Sequence, residues 1–182
     1  MLKWILIGVA VVVILWGILS YNGFVRLKNK CEESFATMDV YLKKRYDLIP
    51  NLVETVKGYA AHEKDTLERV INARNGAIGA KTIDEKIVAE NALSSALSGL
   101  KITLEAYPDL KANQNFLELQ AQLEGTENRI NVARTNFNNA AKNFNTAIRR
   151  FPKNILAGLF GFEKRAYFEA AEGAEQAPQV QF

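Results

Sequence analysis

Two hydrophobic regimes divide the chain. Between Lys3 and Arg26 no charged side chain occurs, whereas beyond Arg26 apolar residues recur at steps of three and four among many charges. The first regime, residues 4–25, covers roughly 33 Å as a helix at about 1.5 Å per residue. That length matches a hydrocarbon core of about 30 Å. In lipid no water reaches backbone amides and carbonyls, so a single segment of this kind is satisfied only as a helix. Trp4, Val12, Trp16, Leu19 and Tyr21 are the expected membrane-spanning positions, with Trp4 and Tyr21 suited to the two interfaces. The competing reading is a cleaved signal peptide. It lacks a small-residue cleavage pattern around Leu19-Ser20-Tyr21-Asn22, so the segment is expected to be retained.

The second regime predicts helices. One apolar face runs through Phe35, Met38, Leu42, Tyr46, Ile49, Val53, Val56, Ala60, Leu67 and Val70, and a second through Leu93, Leu97, Leu100, Leu104 and Tyr107. A third runs through Phe116, Leu119, Leu123, Ile130, Ala133, Phe137, Ala140, Phe144, Ile148 and Phe151. No comparable period of two occurs, so strands are not expected. Gly76 and Gly79 are expected to end the first run. Thr82-Ile83-Asp84-Glu85 fits a capping box that opens the next helix. Tyr107-Pro108 and Phe151-Pro152 close the second and third, because the residue before proline is pushed out of helical geometry.

Pro50 supports two readings. The apolar phase passes through it unchanged from Leu42 to Val56, as in one kinked helix. A turn there would instead give helices of roughly 40, 43, 38 and 57 Å, suited to an up-and-down four-helix bundle. The expected fold is therefore all-α: an N-terminal transmembrane helix (1–25), a long antiparallel bundle of three or four helices (26–152), and an apolar C-terminal segment with a polar tail (153–182).

Charge narrows the function classes. A formal charge of +3, with acids and bases interspersed, lacks the basic stripe a nucleic-acid binder needs to displace counterions. One cysteine, Cys31, allows no internal disulfide. Arg26, Lys28 and Lys30 follow the apolar stretch within reach of anionic headgroups, and by the positive-inside rule they set the bundle on the cytoplasmic side. Lys43, Lys44 and Arg45 stand about 30 Å further along a helix, beyond a Debye length of about 8 Å.

Long motifs carry a family resemblance. The run YLKKRYDLIPNLVETVKGYAAHEKDTLERVINAR (41–74), then EAYPDLKANQNFLELQAQLEGTENRINVARTNFNNAAKNFNTAIRRFP (105–152), and finally AGLFGFEKRAYFE (157–169) resemble the LemA family of bacterial membrane proteins. The resemblance implies a helical bundle on one membrane helix, a bacterial source and no known enzymatic activity. Its relatives include a protein of magnetosome-membrane formation, and some are encoded beside a membrane metalloprotease.

Candidate sites are few. His62-Glu63 lacks the second histidine of a zinc-protease helix, since Thr66 stands four positions on, and no metal or cofactor is expected. Cys31, with cations before it, has the chemistry for a lowered pKa or lipidation, although a small packed residue is the simpler reading. The pairs Phe137-Asn138 and Phe144-Asn145 lie seven apart on nearly one helical face, where buried asparagines would fix helix register, the alternative being a polar-ligand or oligomer contact. Arg45 and Asp47, with Glu127, Arg129 and Arg134, are expected as inter-helix or surface ion pairs. The apolar segment bearing Leu156, Leu159, Phe160 and Phe162 is too short to span a bilayer, and is expected to cover the bundle end or dip into the membrane surface.

With no paired acid and base and no activated nucleophile, the chain reads as a non-enzyme. The expectation is a scaffold of the bacterial cytoplasmic membrane that contacts the lipid bilayer, self-associates as a homo-oligomer and organises or shapes the membrane. The alternative is an adaptor presenting a helical face to another membrane protein, such as a protease.

Overall fold

In a computed structural model that describes residues 1–168, the chain is all-α. The elements are α1 (Leu2–Lys57), α2 (Lys64–Gly79), α3 (Ile83–Leu104), the single turn α4 (Pro108–Lys111), α5 (Gln114–Arg149) and the short α6 (Lys153–Leu159). Packing groups them into two units. One combines Met1–Thr37 with Ala133–Tyr167, and the other is built from Met38–Val132.

Pro50 neither ends nor turns α1. Proline has no amide hydrogen to give the carbonyl four residues back, which here is Tyr46. Arg74 of α2 fills that role, its Nε donating to the Tyr46 carbonyl at 2.7 Å. The helix therefore runs through Pro50 with its one orphaned acceptor satisfied from a neighbour. The break comes later, at residues 58–63, where the amides of Tyr59 and Ala60 both donate to the Val56 carbonyl. Gly58 opens this turn. The expected run to Gly76 is thus two helices, and the apolar phase hid the junction because Ala60 and Leu67 lie seven residues apart, the same offset a continuous helix would show.

Other boundaries follow local chemistry. Thr82 Oγ1 accepts the Glu85 amide at 3.1 Å while Glu85 Oε2 accepts the Thr82 amide at 3.2 Å, a reciprocal capping box at the start of α3. Pro108 sits in the first turn of α4, where its missing donor costs nothing. Asn113 Oδ1 accepts the Phe116 amide at 3.0 Å and caps α5.

The first unit contains the apolar length of α1, the second half of α5, α6 and the segment after it. From Met1 to Leu15 every side chain is exposed, and α1 is, among the described residues, the one helix long and apolar enough to cross a membrane. Beyond it Phe24, Cys31, Phe137, Ala141 and Phe144 are buried. Here α1 and α5 run antiparallel, with the rings of Phe35 and Phe137 meeting edge to face at 5.9 Å.

The second unit packs α2 and α3 as an antiparallel pair against the remaining lengths of α1 and α5. Met38, Leu42, Ile49, Val56, Val70, Leu93, Leu100, Leu110 and Ile130 form its core.

Candidate functional site

Two arrangements carry the chemistry, one in each unit. In the first, α6 ends in a Schellman motif: the Phe162 amide donates to the Ala157 carbonyl at 2.9 Å and the Gly161 amide to the Gly158 carbonyl at 3.3 Å. Gly161 adopts φ of +68°, a left-handed conformation that costs residues with a Cβ about 1–2 kcal/mol. That reversal sends Phe162 inward. Its ring lies 5.2 Å from Phe24, 5.8 Å from Tyr21 and 6.2 Å from Phe144, all in the mutually tilted or edge-to-face geometry aromatic rings favour. Phe160 meets Tyr21 edge-on at 5.0 Å yet stays half exposed.

Asn145 holds the stretch of chain beyond that reversal. It is buried, and its Oδ1 accepts the Arg165 amide at 2.8 Å while its Nδ2 donates to the Arg165 carbonyl and to Tyr167 Oη, both at 2.9 Å. Both faces of one side-chain amide are thus spent on a segment without regular structure. The Arg165 guanidinium reaches Glu32 of α1 at 3.5 Å.

The predicted residues fall around this construction. Trp4, Val12 and Leu19 are widely exposed, Tyr21 less so, and Trp16 is half buried. Arg26 is exposed, while Lys28 pairs with Glu32 at 3.9 Å and Lys30 with Glu33 at 3.0 Å. Phe137 and Phe144 are core residues, Asn138 is half buried, and Phe151, the last of the predicted face, is exposed. Leu156 is half buried and Leu159 is 76% exposed. Cys31 is fully buried, and burial pushes its thiol pKa up despite the opposing field of Arg165, which is unfavourable for a reactive thiolate. His62 is exposed. The predicted polar tail, 169–181, lies outside the described residues.

In the second unit a charge cluster lies in the core. Arg45 is 1% exposed and bonds the fully buried Glu90 of α3, and it also reaches Glu127 of α5 at 2.5 Å and Ser94 Oγ at 3.3 Å. Tyr46 donates its hydroxyl to the other Glu90 oxygen. Burial first, then that hydrogen bond and the Glu90 charge, raise the Tyr46 pKa well above the usual phenol range. Lys86 stands 5.9 Å from the centre of the Tyr46 ring and bonds Asp39 at 3.1 Å. Of the two expectations for Arg45, an inter-helix or a surface pair, it forms the inter-helix one, a junction of three helices with Arg45 and Glu90 buried, whereas Asp47 is exposed and Arg129 lies over the Tyr41 ring at 5.8 Å. Beside the cluster, a cavity of about 380 Å³ has walls of Leu52, Leu97, Leu100, Leu104, Phe116 and Leu123, with Arg45 and Glu127 among its lining.

Glu90 and Arg74 escaped the pattern-based reading. Glu90 stands in phase with Leu93, Leu97 and Leu100, and a charge on an apolar face was the signal available for it. Arg74 is legible only with the demand that Pro50 creates.

A protein-family model matches residues 34–182 and is described as the LemA family. The chain belongs to the LemA family. The match takes in both the Arg45 junction and the Asn145 clamp, and begins beyond the apolar length of α1. Among LemA-like relatives, Magnetosome protein MamQ 2 of Paramagnetospirillum magneticum is 25% identical over 178 residues, covering 84% of this chain. Magnetosome protein MamQ of Magnetospirillum gryphiswaldense is 25% identical over 177 residues and covers 83%. Protein LemA of Metamycoplasma hominis is 25% identical over 153 residues, covering 83% of this chain and 69% of its own length. The alignments span 65% of the length of the two MamQ proteins.

Proposed function

We propose that this LemA-family chain is a membrane-anchored structural scaffold without catalytic activity, whose copies associate side by side in a bacterial cytoplasmic membrane and organise or shape it. The observation that carries this reading is the exposed apolar length of α1, which continues as one helix into the bundle. Arg26, Lys28 and Lys30 support a cytoplasmic bundle by their position just past that length. The magnetosome names of the MamQ relatives support a role tied to a specialised bacterial structure. A scaffold rather than an enzyme is supported by the buried cluster of the second unit, where Arg45 engages Glu90 and Glu127. Light scattering on the intact protein in nanodiscs of varied size tests self-association, with dimers or larger species expected. A strictly monomeric mass overturns it.

The cavity beside Arg45 favours a second reading, an adaptor that receives part of another membrane protein. A photocrosslinker at the exposed Asn136 separates the two in living cells. Adducts with copies of the same chain alone support the scaffold, and adducts with one other membrane protein support the adaptor.

A further inference from the structure

The surface around α6 carries an unpartnered apolar patch. Phe151 is 78% exposed, Ile155 63%, Leu159 76% and Phe160 50%. In a soluble protein such a group of side chains marks a contact surface. Phe160 packs edge-on against Tyr21, which lies in the last turns of the uncharged stretch of α1. The patch is therefore continuous with the apolar length of α1.

The charges that lead into it along the chain have one sign. Between Glu127 and Glu163 the chain contains no acidic residue, while Arg134, Lys142, Arg149, Arg150 and Lys153 all fall within the first unit. Arg149 and Arg150 are exposed at the end of α5, immediately before Phe151. Exposed rings and aliphatic chains flanked by cations are the chemistry of an interfacial segment on an anionic leaflet, where acyl chains take the apolar side chains and phosphates take the guanidinium groups.

We infer that the turn at the end of α5, together with α6 and Phe160, docks into the headgroup region of an anionic lipid leaflet beside the helix of the same chain. This rests on the reading of α1 as a membrane span. Asn145 and the left-handed Gly161 are the positioning residues, since they hold the segment on α1 and α5 with Phe162 inward and Leu159 and Phe160 outward. The chain then meets one leaflet at two places, the span and this short helix.

Tryptophan quenching in full-length protein reconstituted in vesicles tests this, because the native indoles, Trp4 and Trp16, are both in the apolar segment. In the unmodified protein, lipids brominated near the bilayer centre or near the headgroups report the span. In a W4F/W16F background, F160W reports the patch, and L159W provides an independent probe at a more exposed site. Docking predicts at least twofold quenching of the introduced indole by shallow bromines, weaker quenching by deep ones, and a stronger effect in phosphatidylglycerol than in phosphatidylcholine. R149Q/R150Q/K153Q should remove most of that lipid difference. If the native indoles are quenched and the introduced one is not, the docking is overturned while the span stands. An introduced indole shielded from acrylamide but untouched by brominated lipid would mean that a protein or a second copy covers the patch, which overturns it too. Equal quenching in both lipids overturns the anionic assignment, and absence of quenching at every site overturns span and docking together.

Discussion

The unit carrying the apolar length of α1 closes its core around rings, whereas the other closes around a buried charge cluster. Phe24, Phe144 and Phe162 meet in the first with little directional demand, and a strongly directional element there is the Asn145 amide, which holds a segment without regular structure. In the second, apolar faces of similar composition from three helices would tolerate many alignments, and Arg45 with Glu90 and Glu127 ties them at one level. Apolar burial supplies the drive in both. Directional bonds decide which chain segment meets which, and the molecule uses them where apolar side chains alone leave the choice open.

The comparison breaks most visibly at Arg45. Replacement by Met leaves two carboxylates without their cation, and loss of one partner of a buried pair costs about 3–5 kcal/mol. Urea unfolding monitored on the second unit should show it. If R45M/E90L/E127L recovers most of the loss, the cluster serves alignment more than net stability; if it does not, the cluster is itself a stabilising element.

Next in size is N145A. It strands the amide and carbonyl of Arg165, and unsatisfied buried groups cost about 1–3 kcal/mol each. Hydrogen exchange should rise at the Arg165 amide, and trypsin should cut after Lys164 or Arg165, while the second unit keeps its protection. Uniform destabilisation of both units would erase the distinction between them.

R74M comes third, at about 1 kcal/mol or somewhat more, for the Tyr46 carbonyl left without a donor. In a P50A background the same change should cost less, because the alanine amide restores the bond within α1. Equal costs in the two backgrounds would show that Arg74 does not compensate for the proline.

The smallest effect is a pH dependence. Burial acts to raise the Asp39 pKa, but hydrogen bonds from Lys43 and Lys86 outweigh it and hold the carboxyl below its ordinary range. A lowered folded pKa contributes stability above the unfolded value of about 3.9, and that contribution fades as pH falls through the folded one. Thermal unfolding followed between neutral pH and pH 3 should lose part of its acid limb in D39N.

These contrasts also explain how far the residues could be read unaided. The all-α class, the apolar length, the Thr82 capping box and the stops at Pro108 and Pro152 were legible because each is written in one continuous stretch of chain, by composition, by period or by a local pair. The passage of α1 through Pro50 was one of two readings that the residues left open, since the donor that satisfies the Tyr46 carbonyl, Arg74, comes from another helix. The turn at residues 58–63 was hidden by an apolar phase that a short junction preserved. Asn145 was picked out as a buried polar residue, but its partner, an irregular backbone twenty positions on, has no periodic signature. The Arg45 cluster joins residues 45 and 82 positions apart, which spacing along one helix cannot reveal.

The division of the chain into units also sets an order of events during synthesis. Nearly all of the second unit is one uninterrupted stretch, Met38–Val132, so its helices can associate while the ribosome is still translating the rest of the chain. The first unit waits: Glu32 and its partner Arg165 are 133 positions apart, and the rings that cover Phe24 emerge only after α6. Until then an apolar helix and an uncovered aromatic wall leave the ribosome together. That surface waits for Phe162, so the first unit is the last part of the chain to close.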